Sequence, residues 1–136
     1  MKGTGDYPAD WGNIAQACKT AARWLCIRCG HKHDRLTGRV LTVHHWDGDK
    51  GNCAWWNCLA LCQRCHLVIQ GRVRPSRPWV FEHSAWFQPY VAGFYAKKYL
   101  GLDLTREEVM DRLGELLTLE ALAIIGREPI CLAVPQ

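Results

Sequence analysis

Two Cys-x-x-Cys pairs, Cys26/Cys29 and Cys62/Cys65, are the strongest chemical signal in the chain. Two thiolate pairs at this spacing can close a tetrahedral site with no open position, the coordination a structural Zn²⁺ takes. The 32 residues between the pairs exceed the spacing of a compact zinc ribbon, so the intervening segment is expected to be a folded unit clamped at its base. A redox role would call for a thioredoxin-like βαβ pattern around one of the pairs, and neither has one. In a reducing compartment such pairs read as a metal site rather than as disulfides.

A second set lies inside and beside the clamp: His44, His45, Asn57 and His66. Adjacent histidines at a strand end point to opposite faces, so the first two are free to carry different roles. His66 directly follows the last clamp cysteine, which fixes its direction. His31, His33 and His83 stand alone and read as surface or satisfied core residues. Cys58 reads as a small buried hydrophobe, with metal binding or oxidation as alternatives for it and for Cys53. Cys18 and Cys131 fall outside any motif and read as structural.

The elements that must position these groups are short. At 136 residues the chain has the length of one domain, and 49% apolar with 22% charged residues is a composition that folds. Apolar residues at Ile14, Ala17, Cys18, Ala21, Ala22 and Leu25 predict a helix over about 11–25. Gly38 marks a turn, and the β-branched run after it predicts a strand from Arg39 to His45. A Gly/Asp/Asn-rich loop follows from Asp47 to Asn52, then a short strand or turn from Asn57, passing near Cys62 to His66 into a helix that stops near Gly71. The sequence thus predicts strand, loop, strand, helix for the motif region, an α+β unit. Beyond it, Pro89 to Leu100 reads as an aromatic-rich helix stopped by Gly101. Thr105 with Glu108 is a capping-box signature for a last helix to about Leu119. These two form a C-terminal helical extension over about 86–120.

The stretch Val43-His44-His45-Trp46-Asp47-Gly48-Asp49-Lys50, then Asn57, then Leu61-Cys62-Gln63-Arg64-Cys65-His66, resembles the HNH endonuclease motif of the subgroup with two Cys-x-x-Cys pairs. The resemblance covers Cys26 to Gln70, about one third of the chain, and flanking segments are similar to those of phage and bacterial members. It implies a small ββα-metal core over about 24–71, clamped by zinc. It further implies His45 as general base, His44 and His66 as ligands of one catalytic divalent metal, and Asn57 orienting the loop that holds the base. DNA would be cut to leave a 5′-phosphate and a 3′-hydroxyl. The chemistry is coherent, because a neutral imidazole can take a proton from water near neutral pH. Two imidazole ligands favour Mn²⁺, Ni²⁺ or Zn²⁺ over the hard Mg²⁺. The chain departs from the family pattern at Cys53 and Cys58, where relatives usually have a polar and an aliphatic residue.

Charge is distributed in keeping with a phosphate-backbone partner. The net charge is only +4, yet residues 19–98 hold 13 Lys and Arg against 4 Asp and Glu, while 99–136 hold 3 against 7. Lys50, Arg64, Arg72, Arg74 and Arg77 are the expected phosphate contacts on double-stranded DNA. Trp46, Trp55 and Trp56 are expected to cover the small site with apolar bulk. The chain has no run long and apolar enough for a membrane span, and its polar start has no signal core, so a cytoplasmic place in a bacterial or phage-infected cell is expected. The alternatives are a zinc-stabilised DNA-binding module without catalysis, and an adaptor whose C-terminal helices meet a second copy or a phage protein.

Overall fold

The computed structural model describes residues 7–73 and 84–125. It is α+β, with a two-stranded sheet among helices. Length alone leads to the expectation of one domain; packing gathers the chain into two compact units, 1–73 and 74–136. Arg74, Arg77, His83 and Cys131 lie outside the described residues.

The first unit opens with α1 (Trp11–Ala21), which stops four residues before the apolar periodicity does. The cause is a Schellman-type reversal without glycine. Arg23 N–H donates to Thr20 O at 2.9 Å and Trp24 N–H to Lys19 O at 2.9 Å, with Arg23 and Trp24 at φ 58° and 57°. Two consecutive left-handed side-chain-bearing residues cost about 1–2 kcal/mol each, so the surrounding structure must hold them. It does so through His33 N–H to Trp24 O at 3.1 Å and the Lys19 ammonium 5.5 Å from the centre of the Trp24 ring. The reversal delivers the chain into the first cysteine pair.

β1 (Leu41–His45) and β2 (Cys58–Cys62) then pair antiparallel, with His44 opposite Leu59 and His45 opposite Cys58. Every residue of β2 is buried, because α1 and α2 (Gln63–Arg72) both pack on the two strands. The strand, loop, strand and helix expected for the motif region are all present, and the helix begins directly at the end of β2.

The second unit is helical: α3 (Gln88–Leu100), α4 (Arg106–Asp111) and α5 (Leu113–Ile125). Gly101, at φ 69°, ends α3 as its sequence position foretells. The capping box is formed, Thr105 Oγ1 accepting from Glu108 N and Glu108 Oε1 from Thr105 N. One final helix was the expectation; the structure has two, broken at Arg112, whose N–H donates three residues back to Val109 O at 3.1 Å. Gly114 just beyond weakens helix propagation there, and Arg112 pairs with Glu115 at 2.8 Å across the break. The core of this unit is Phe87, Val91, Ala92, Tyr95, Ala96, Val109 and Leu116.

Candidate metal centre

Cys26, Cys29, Cys62 and Cys65 converge, their four sulfurs within 4.8 Å of one another, so this group could hold a metal ion. Cys29 is exposed and the other three are buried. Each pair makes a tight turn around its first sulfur. Cys29 N–H donates to Cys26 Sγ at 3.4 Å, and Gly30, at φ 78°, supplies the left-handed residue that lets the chain leave. Cys62 stands at the N-cap of α2 in extended backbone, so Cys65 lies in the first turn of that helix. The two turns are tied together by Ile27 N–H to Ala60 O at 3.0 Å and Gln63 N–H to Val40 O at 2.9 Å.

The chemistry of the thiols suits a cation among them. Burial raises the Cys62 thiol, but hydrogen bonds from the Cys65 N–H and from neighbouring thiols outweigh it and bring the group down to about 7. Cys65 is pushed up to about 12, first by burial and then by its sulfur neighbours, against the lowering effect of Arg28. One thiolate forms readily while its neighbours resist, and a cation among them removes that resistance. Arg28 and Arg39, which sequence reasoning placed only in the general basic surplus, donate to Cys65 Sγ at 3.5 Å and Cys29 Sγ at 3.4 Å. Their charge offsets the negative charge of the sulfurs.

His44 and His66 form a second feature, their rings 4.4 Å apart between centroids. His44 comes from β1 and His66 from the first turns of α2, so the sheet and helix junction holds both. Thr42 fixes the His66 ring. Its hydroxyl lies 2.8 Å from Leu61 O, to which it can only donate, and 2.9 Å from His66 Nδ1. The single hydroxyl proton goes to the carbonyl, so Nδ1 carries the ring proton and Nε2 keeps its lone pair. Thr42 escaped notice in the sequence, although its place two residues before His44, on the same strand face, was the available signal. His44 is brought down to about 4, by burial first and then by His66 and His45; burial lowers His66 as well. Both are therefore neutral at pH 7, the form that binds a cation. They remain a pair: among the described residues no third His, Cys, Asp or Glu joins them in a group close enough to share an ion.

His45 lies on the other face of β1. It is 6% exposed, with its ring 4.7 Å from that of Trp11 and 5.9 Å from that of Tyr7, and burial lowers its pKa. The structure thus brings His44 and His66 together and sets His45 apart from them. Asn57, fully buried, pins the loop that follows His45: its Oδ1 accepts from Asp47 N at 2.9 Å and its Nδ2 donates to Asn52 O at 2.7 Å. The loop is also braced by its own carboxylates, Asp47 Oδ1 accepting from Asp49 N and Asp47 Oδ2 from Asn52 Nδ2. Trp46 and Trp56 are buried beside it, the Trp46 indole donating to Trp56 O at 2.6 Å.

Cys53 Sγ reaches to 3.8 Å from His45 Nε2, and His45, Cys53 and Cys58 make a second group within 4.8 Å. Cys18 donates to Cys58 O at 3.5 Å. His33 Nδ1 accepts from Leu41 N at 3.0 Å and His31 Nδ1 donates to Lys32 O at 2.7 Å, so both have backbone partners. Of the expected phosphate contacts, Arg64 is exposed and reaches Thr37 O at 3.3 Å, Arg72 is exposed at the end of α2, and the Lys50 ammonium sits 4.9 Å from the centre of the Tyr7 ring. No helix among the described residues is long and apolar enough to cross a membrane. Comparison of the chain with protein-family models, curated proteins and solved structures gives no match.

Proposed function

We propose that the chain is a metal-dependent HNH endonuclease that hydrolyses DNA phosphodiester bonds, its ββα-metal core clamped by Zn²⁺ on Cys26, Cys29, Cys62 and Cys65. The His44/His66 pair carries this reading: two neutral imidazoles from β1 and α2, one of them oriented by Thr42. A catalytic cation held by only two protein groups keeps positions open for water and phosphate, which metal-assisted hydrolysis needs. When bound, a divalent ion supplies Lewis-acid stabilisation of the charge that builds on the phosphate and the departing oxygen. His45 takes the proton from the attacking water, since its depressed pKa leaves it neutral at pH 7. Asn57 holds the loop that follows His45 in one conformation. Arg64, Arg72 and Lys50, with Arg74 and Arg77, supply positive charge for the phosphate backbone of double-stranded DNA.

Supercoiled plasmid incubated with wild type and His45→Ala, each checked for fold and zinc content, tests the reading. The wild type is expected to cleave with Mn²⁺ or Ni²⁺ at least as fast as with Mg²⁺, and His45→Ala to lose about a hundredfold or more, the usual contribution of a general base. One observation favours the non-catalytic DNA-binding module instead: His45 is buried against Trp11, on the face away from His44 and His66. DNA binding without cleavage by either protein selects that module.

A further inference from the structure

We propose that His45, Cys53 and Cys58 form a second metal site, a thiophilic three-ligand site separate from the four-cysteine group, at which a zinc-class cation switches off His45 as a base. The site stands on geometry alone; the switch rests on the nuclease reading.

Three independent parts of the chain build it. Strand register sets His45 directly opposite Cys58, so their side chains are cross-strand neighbours. Cys53 arrives from the loop, and Asn57 clamps it from both flanks: the amide Nδ2 donates to Asn52 O at 2.7 Å, and the backbone N–H to Ala54 O at 2.9 Å. The result is a Cys53 Sγ to His45 Nε2 distance of 3.8 Å, the same separation as Cys29 Sγ to Cys62 Sγ in the four-cysteine group. A tetrahedral ion with Zn–S near 2.3 Å and Zn–N near 2.0 Å wants such donors about 3.5–3.8 Å apart; Cys53 and His45 already stand within tenths of an ångström of that spacing, and the Cys58 sulfur lies within 4.8 Å of both.

Packing accounts for Cys58, which is nearly inaccessible, but not for Cys53, which is half-buried and aims its sulfur at a ring nitrogen. One nitrogen and two sulfurs select a borderline or soft cation and reject Mg²⁺ and Ca²⁺. Cys18, whose sulfur lies 3.5 Å from the Cys58 carbonyl, is a further thiol beside the group.

Binding releases two thiol protons to solvent and leaves two thiolates and a neutral imidazole on the metal. With Nε2 on the cation and the ring proton on Nδ1, His45 has no lone pair left for a proton from water. Occupancy and general-base catalysis therefore exclude each other.

Native mass spectrometry of the reduced full chain titrated with Zn²⁺ tests the site. On a His66→Ala background, which removes the two-histidine cation position, two metals are expected per chain, and one once Cys53→Ser is added. Co²⁺ in place of zinc should add a second, weaker thiolate charge-transfer band that Cys53→Ser lacks. Saturation of the His66→Ala chain at one metal, or retention of two after Cys53→Ser is added, overturns the site; Cys58→Ser gives a second check, and Cys53 is the safer variant because it is partly exposed. Plasmid cleavage with Mn²⁺, before and after loading the second zinc, tests the switch. The wild type should lose about a hundredfold, and Cys53→Ser should keep its own rate. Undiminished wild-type cleavage with two zincs bound overturns the switch alone. Absence of cleavage in every protein defeats the nuclease reading and the switch with it, and the metal count still judges the site.

Discussion

The two compact units solve the problem of a small interior in different ways. In the second, α3 alone buries Val91, Ala92, Tyr95 and Ala96, and Val109 and Leu116 come from α4 and α5, so apolar side chains fill the core. In the first, the strands have five residues each and α1 has no fully buried residue. Thiols take a share of its interior: Cys26, Cys58, Cys62 and Cys65 are buried, as are His45 and Asn57, along with Leu41, Trp46, Trp56, Leu59, Leu61 and Ile69. Apolar burial stabilises in proportion to area whatever else is present. Buried thiols and imidazoles contribute fully only when a cation or a hydrogen bond satisfies them. The difference places every candidate metal ligand in the first unit, so metal dependence is expected there.

The sharpest way to break this contrast is to remove the metal. Chelation, or the double change Cys26→Ser with Cys62→Ser, is expected to abolish the fold of β1, β2 and α2, because a structural zinc site contributes on the order of 10 kcal/mol. Hydrogen exchange should show protection lost across 41–72 and kept within α3. Simultaneous loss in both units would mean that the second also depends on metal. The converse change is Leu116→Ala, at a fully buried position. It should cost about 2–5 kcal/mol in the unfolding transition of the helical unit, with zinc content by atomic absorption unchanged.

Asn57→Ala comes next. It strands the Asp47 N–H and the Asn52 carbonyl, each worth about 1–3 kcal/mol if left buried and unpaired. Water can reach the half-buried loop, so the expected loss is toward the lower end, with faster exchange confined to 47–54. The same residue shows what the sequence made legible. Asn57 stands out through the resemblance to the HNH motif, the two cysteine pairs through their spacing, and the strand, loop, strand and helix through β-branched runs and turn residues. All of these are local signals. What stays hidden is carried neither by residue type nor by spacing. The early end of α1 is enforced by left-handed Arg23 and Trp24, where nothing in residue type announces a reversal. Arg28 and Arg39 looked like surplus basic charge until the fold turned them onto sulfurs. The grouping of Cys53 and Cys58 with His45 needs both the strand register and the loop clamp, neither of which spacing encodes.

The smallest expected effect is at Thr105, and it tests how far the second unit rests on packing rather than on polar detail. Its hydroxyl accepts from Glu108 N at 3.1 Å while the Glu108 carboxylate accepts from Thr105 N at 2.8 Å, in an exposed position at the start of a six-residue helix. Thr105→Ala removes one of these bonds and should cost about 1 kcal/mol, a fall of roughly 4–8 °C in the melting temperature of a unit this size. Thr105→Ser should restore it, since the serine hydroxyl caps equally well. Neither change should alter metal content, because the groups that could hold a metal ion among the described residues lie in the first unit, within 26–65. A loss rivalling that of Leu116→Ala would show that α4 is held by its cap more than by Val109, and the second unit would then owe its stability to the same kind of local polar bonding that shapes the first.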